Sequence, residues 1–475
     1  MRTLPASALA LFVLLAVAYV GSIGLRASWD AAITGDEPFY LLTSQSLLQD
    51  GDLDLTQQYQ QRSYESFFDH PDGLWRQSAM REDGSLLSPH DPGLSILLIP
   101  GFAIGGLPGV QVQLLIMAAL TFTLTYLLIA RITGEIWWSW LAVAMVGSSA
   151  SAFVYATEVY PEMPAALFLI ASLLLVQCRS LPSRGLGIGW RGLLLTALLS
   201  AMVWLGVKYA PLAGLVALWG LWQMDARARV TLLITGGISA VLFLGFHLRT
   251  FGALTPYSVG LVYAGDSTLS VLGQHFGTPD RAYRVIGLFV DRRFGIGRWA
   301  PVLLTALPAM AWLWSRSSLS RLVLSLIAAQ LFLATFLAVT MMGWWFPGRT
   351  MITVLPLFAL PLALLLVRLP QWGRLAIGLL AIYTLAITFA LAIAGHTGEI
   401  AIAVDPFNLK APLFQIPSPV YPDYRSWTVQ TWLLTGGWLL TAAGAVALVG
   451  NLPGKLIGGF WQQTPGGRAG ASASP

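Results

Sequence analysis

Long apolar runs recur from one end of this chain to the other, and that repetition limits its possible folds more than any other feature. Mostly hydrophobic blocks lie at 5–25, 94–108, 110–130, 136–153, 163–178, 192–207, 210–223, 229–248, 300–315, 321–342, 350–367, 375–394 and 429–450. About 20 such residues make one helical crossing of a bilayer. Only 10% of the 475 residues are charged, against about 25% in soluble domains. A soluble domain of this length cannot hide a chain that is 56% hydrophobic, because its interior grows too slowly with size. Disorder is excluded as well, since there is too little charge and too much apolar surface. The single cysteine, Cys178, excludes a disulfide framework and any multi-cysteine metal centre. The net charge of +5 is spread thinly, with no basic run that would point to a nucleic acid. The expected fold class is an all-α polytopic membrane protein.

Charge placement decides which blocks cross. If Leu94–Pro108 dips into the bilayer without crossing, the positive-inside rule sorts the remaining loops. Arg131, Arg179, Arg184, Arg191, Arg227, Arg229, Arg316, Arg321, Arg368 and Arg374 then fall inside, against only Glu135 and Asp225. This predicts about 12 transmembrane helices with both ends cytoplasmic. The first run has no clear cleavage site and is read as a retained helix. Residues 1–450 form one transmembrane domain. Its outer segments are 26–109 (including the dipping stretch and surface helices), 249–299 and 395–428. Residues 451–475, rich in Gly, Ala, Ser and Pro, read as a flexible cytoplasmic tail. The pattern fits a prokaryotic plasma membrane, with any chemistry on the outer face.

The outer segments carry the residues suited to chemistry. Just after the first run stands Thr34-Gly35-Asp36-Glu37-Pro38-Phe39-Tyr40, followed by Leu42, Leu47 and Leu48 on one face of a short surface helix. Asp36 and Glu37 at its start can act as a general base; alternatively Thr34 and Glu37 form a capping box, or Asp36 is the N-cap. The short segment Tyr155–Pro164 holds Glu158 and Glu162, which are costly between two spans unless they face water or a partner. Arg349, in Trp344-Trp345-Phe346-Pro347-Gly348-Arg349-Thr350, is an outer cation whose planar fork suits a phosphate. Snorkelling to lipid head groups is the other reading. Lys208 and Arg249 are further isolated cations, and His90 precedes the dipping stretch. Asp50, Asp52 and Asp54 alternate as in a calcium loop but lack its glycine and distal glutamate. Asp291-Arg292-Arg293 with Arg298 reads as a solvated salt-bridge cluster or a substrate contact. No phosphate-binding glycine motif or nucleophile elbow occurs.

An acidic motif after the first span, a long outer first segment and a second acidic segment resemble the GT-C superfamily of integral-membrane glycosyltransferases. The likeness is greatest to the protein O-mannosyltransferase and aminoarabinose transferase branch. It rests on Gly35–Tyr40, Glu158–Pro164 and Gly343–Thr350. The resemblance implies transfer, with inversion, of a sugar from a polyprenyl-phosphate donor to an acceptor glycan, lipid or protein. It gives the base role to Asp36 with Glu37 adjacent. Glu158, Glu162 and His90 would orient the acceptor or hold a divalent metal, and Arg349, Lys208 and Arg249 would bind the donor phosphate. Membrane lipids are the surrounding partners. The competing class is a transporter or flippase of a lipid-linked sugar; coupled transport usually places ionisable groups in mid-span, and few stand there in this chain.

Overall fold

The computed structural model describes residues 3–77, 79–81, 83–177, 189–255, 273 and 279–452. Arg2, Cys178, Arg179, Arg184, His275 and nearly all of the tail lie outside them. Helices dominate, and the only strands among the described residues are the short antiparallel pair Ala79–Met80 and Leu86–Leu87. The principal helices are α1 (Thr3–Val20), α2 (Glu37–Gln49), α3 (Gly93–Thr133), α4 (Ile136–Gly147), α5 (Glu162–Gln177), α6 (Trp190–Leu205) and α7 (Ala210–Gln223). They are followed by α8 (Ala226–Phe251), α9 (Ser318–Phe332), α10 (Ala359–Arg368), α11 (Gln371–His396) and α12 (Val429–Gly450). Five described stretches are long and apolar enough to cross a membrane: Gly93–Thr133, Ala226–Phe251, Ser318–Leu337, Gln371–His396 and Val429–Gly450. Shorter apolar helices accompany them. The block expected at 300–315 is broken into the four-residue turns Pro301–Leu304, Ala306–Ala309 and Ala311–Trp314, because proline removes a backbone donor and crowds the preceding turn.

α1, α4, α5 and α2 all pack on α3, α5 continues onto α6, and α6 onto α8. Leu11, Leu15 and Tyr19 of α1 are fully covered, as are Phe122 and Tyr126 of α3. The Tyr19 hydroxyl donates to the Gly147 carbonyl at 2.7 Å, so even the core's polar atom is satisfied. The outlying helices behave differently. Leu433, Leu440 and Leu448 of α12 are each more than 70% exposed, an apolar surface suited to hydrocarbon and unsuited to water.

α3 is two helices meeting at Gly105-Gly106, where the backbone leaves helical geometry. The Gln113 side chain donates to the Leu97 carbonyl at 2.7 Å and accepts from the Gly101 amide at 2.8 Å, so the halves run back alongside each other. Gly101 and Gly109 make this approach possible: a Cβ on Gly109 would lie 2.2 Å from the Gly101 carbonyl oxygen. The first half spans about 18 Å at 1.5 Å per residue, short of the ~30 Å hydrocarbon core.

α2 differs from the open surface helix expected. Residues Glu37 through Ser46 are all buried against α3 and the short helical turns Thr56–Gln60 and Ser63–Ser66. Its small polar residues permit this, because Ser44 bonds its own helix and the Ser95 carbonyl of α3, at 2.9 Å each. Segments distant in sequence meet beside α2. Ile402 and Ala403 donate to the carbonyls of Arg26 and Ala27. The Tyr155 hydroxyl bonds the Phe346 carbonyl at 2.6 Å, and Ser151 the Pro347 carbonyl at 3.0 Å.

Candidate active site

Asp36 ends the turn before α2. Its side chain does not cap the helix; one oxygen, Oδ2, instead accepts from Arg349 Nη2 at 2.9 Å. The Arg349 Nε donates to Glu162 Oε1 at 3.0 Å, and Lys208 Nζ reaches that same oxygen at 2.8 Å. The Arg349 guanidinium lies over the Tyr160 ring, 3.8 Å from its centroid, with Trp345 at 5.0 Å on the same cation. Two carboxylates and two cations thus form one chain of ion pairs. Gly348 lets the turn bring Arg349 in: its φ is +94°, and a Cβ there would lie 2.8 Å from Ser151 Oγ.

The other Asp36 oxygen, Oδ1, faces a different side. Gln77 Nε2 lies 3.4 Å away and His90 Nε2 3.8 Å, while Gln77 Oε1 and His90 Nε2 are 3.0 Å apart. Burial raises the Asp36 carboxyl, but Arg349 and His90 outweigh it and hold the group well below the usual carboxylate range. Burial lowers the His90 imidazole, with Asp36 pulling the other way. Asp36 is 26% and Lys208 37% exposed, whereas Arg349 is 10% and Glu162 4%. The cluster therefore opens at its Asp36 and Lys208 ends.

Glu37 turns away from this cluster. Its oxygens accept from the Thr34 amide at 2.9 Å and the Val159 amide at 2.8 Å, which completes the glutamate half of the capping box and staples α2 to the second acidic segment. Burial raises it to about 7 despite those bonds. Glu158 shares a pocket of about 10 Å³ with Glu37, and neither of its buried oxygens has a hydrogen-bond partner among the described residues. Burial, then the neighbouring Glu37, pushes its carboxyl well up. Such a group is held neutral. Glu37 and Glu158 occupy structural positions behind the cluster instead of lining its open edge.

Arg249 stays apart: it is exposed on the last turn of α8 and enters no ion pair among the described residues. Two residues earlier, His247 is fully buried, its Nε2 2.8 Å from Asp91 Oδ1 and its Nδ1 2.8 Å from the Phe243 carbonyl. The other Asp91 oxygen accepts from the Val207 amide at 3.1 Å. This pair anchors the turn that presents Lys208. No sequence signal marked the Asp91–His247 contact, nor Gln77, because each depends on which loops meet. Tyr160 was legible only as part of the second acidic segment.

Other expectations are corrected. Asp291 is 1% exposed and accepts from the amides of Arg293, Phe294 and Tyr424; the Arg298 guanidinium lies 3.7 Å over the Phe414 ring. They form a buried latch to the segment before α12, because backbone amides there replace water, and Asp291 makes no ion pair with Arg292, Arg293 or Arg298 among the described residues. Asp52 and Asp54 each commit Oδ1, to Ser46 and the Asp54 amide and to Thr56 and the Leu86 amide respectively. Among the described residues no group of three or more His, Cys, Asp or Glu converges. Asp36 and Glu162 are taken by cations and Glu37 by backbone amides.

No family model and no curated protein matches the chain. Its structure is similar to ArnT. Two crystal structures of ArnT from Cupriavidus metallidurans align with it at a TM-score of 0.49, one bound to undecaprenyl phosphate and one in the apo state. The identities are 15% and 16%, over 93% of this chain and 76% of ArnT in both cases.

Proposed function

We propose that this chain is a membrane glycosyltransferase of the GT-C type, moving a sugar from a polyprenyl-phosphate donor to an acceptor hydroxyl on the outer face of a bacterial plasma membrane. One observation carries the reading: a partly exposed carboxylate, Asp36, stands at the open edge of a cluster whose cations, Arg349 and Lys208, are already gathered on Glu162. The donor class comes from the motif resemblance of Gly35–Tyr40 and Glu158–Pro164.

The chemistry follows from the charges. While Arg349 holds Asp36, the carboxylate is a poor base. A donor phosphate brings negative charge that competes for Arg349 and Lys208, which weakens their hold and lets Asp36 return toward its ordinary basicity. The acceptor oxygen then attacks the anomeric carbon from the face opposite the phosphate. The carbon–oxygen bond to phosphate breaks, its electron pair leaves with the phosphate, and the hydroxyl proton passes to Asp36 Oδ1. Arg349 and Lys208 stabilise the leaving phosphate. Inversion is the stereochemical consequence of one displacement.

The test is a reconstituted assay in proteoliposomes with undecaprenyl-phosphate-linked sugars and an acceptor extract, scored by release of undecaprenyl phosphate. Asp36→Asn should abolish release while melting near wild type. Movement of the labelled donor between leaflets without its consumption would overturn the reading in favour of a flippase.

A further inference from the structure

We propose that a cavity beside Asp36, of about 180 Å³, is a saccharide subsite that holds one sugar ring of the acceptor. The proposal rests on the glycosyltransferase reading and adds the acceptor's chemical class, which makes it a glycan or glycolipid. Four aromatic side chains line the cavity, Trp29, Phe68, Trp75 and Trp344, together with the polar residues Asp30 and His70. Trp29, Trp75 and Trp344 are 50%, 42% and 60% exposed. What singles these three out is their convergence on one hollow, where their faces can meet the same ligand.

The walls are preorganised. Trp75 is held edge-on by Phe39 at 5.7 Å, by Phe68 at 5.8 Å and by Trp344 at 6.5 Å between ring centroids. Phe68 stacks in turn on His70, at 6.0 Å and 12°. A pyranose offers C–H faces to such rings and hydroxyls to the polar groups between them. The quadrupole of an indole face attracts those C–H edges. The volume is below the ~300 Å³ of sites for larger ligands, so one ring is the scale it suits.

Its position relative to Asp36 selects the acceptor. Oδ2 is spent on Arg349, while Oδ1 points to Gln77 and His90. Gln77 belongs to the same loop that supplies Phe68, His70 and Trp75, and Thr34, two residues before Asp36, is also on the cavity wall. The carboxylate oxygen not taken by Arg349 therefore faces Gln77, of the loop that also supplies Phe68, His70 and Trp75 to the cavity wall.

The test uses the full-length protein in nanodiscs and a panel of methyl hexopyranosides and methyl pentopyranosides, read by saturation-transfer NMR. At least one glycoside should bind wild type saturably. Trp29→Ala and Trp75→Ala should each weaken it about tenfold, and Trp75→Phe should restore it. Undecaprenyl phosphate binding should be unchanged in all three variants. Glycoside binding that persists when undecaprenyl-phosphate-linked sugar saturates the protein supports an acceptor ring; mutual exclusion would reassign the cavity to the donor's sugar and overturn the proposal. It is also overturned if no glycoside binds, if the Trp→Ala variants bind like wild type, or if a dansyl fatty acid occupies the cavity in place of the glycosides. Failure of the underlying reading looks different: wild type then binds glycosides but neither binds nor consumes the lipid-phosphate donor.

Discussion

Two pairs of carboxylates lie side by side in this protein and meet opposite fates. Asp36 and Glu162 each touch a cation, with Arg349 shared between them and Lys208 added on Glu162. Glu37 and Glu158, one and four residues away in sequence, touch no cation among the described residues; Glu37 accepts two backbone amides there and Glu158 nothing. The first pair is held by cations, and Asp36 opens to the surface while Glu162 is buried. The second is buried and held toward neutrality. Residue type does not separate them, and the difference is where Arg349 is delivered by the turn at Gly348. An ionised carboxylate at an open edge, as Asp36 is, can take a proton or compete with a phosphate, whereas neutral buried ones shape the wall behind.

The comparison breaks hardest at Asp36. Asp36→Asn should lower transfer by ~10²–10⁴-fold, measured as undecaprenyl phosphate release, with little change in melting because Arg349 keeps Glu162. Arg349→Ala comes next. It leaves Asp36 without its cation and Glu162 with Lys208 alone, and should destabilise the protein by about 3 kcal/mol, read by thermal melting in detergent; an unchanged melting point would mean the cluster is solvated. Lys208→Met should be milder, since the residue is partly exposed: undecaprenyl phosphate affinity should fall about tenfold while the melt barely moves. Glu158→Gln should be the smallest, within about 1 kcal/mol, because it replaces a group already neutral.

The neutral pair also predicts a pH signature. A carboxyl whose folded value is raised binds more protons in the native state than in the unfolded one, so its contribution to stability is present at low pH and declines as pH rises. For Glu37 the decline runs from its ordinary value to about 7. Asp36 has the opposite sign: its contribution is lost only as pH falls below the usual carboxylate range. Melting temperature followed across the Glu37 window should fall more steeply with rising pH in wild type than in Glu37→Gln, with the lowered His90 imidazole adding the opposite slope to both. Identical profiles would show that Glu37 is not held toward neutrality.

Much of this was legible in the chain before folding was considered. Asp36, Glu162, Lys208, His90 and Arg349 stand out as ionisable residues at the edges of apolar blocks, and the structure brings all five to one cluster. Arg249 stood out by the same logic, but it points off the last turn of α8. The surface helix after Asp36 was visible as a pattern of leucines, yet its burial was not, because that needs Ser44 to meet the Ser95 carbonyl of a helix some fifty residues away. Gln77 and the Asp91–His247 pair had no local signature.

By itself the sequence determined that the chain is helical and built for a bilayer, since apolar runs of that length have few other ways to satisfy both their side chains and their backbone. It also determined which ionisable residues had to be explained. Only the tertiary structure decided which of two adjacent acids meets the arginine, which loop closes over the other, and which oxygen is left available. Those choices depend on contacts between segments more than a hundred residues apart, and a local pattern carries no information about which of them will share the same few ångströms.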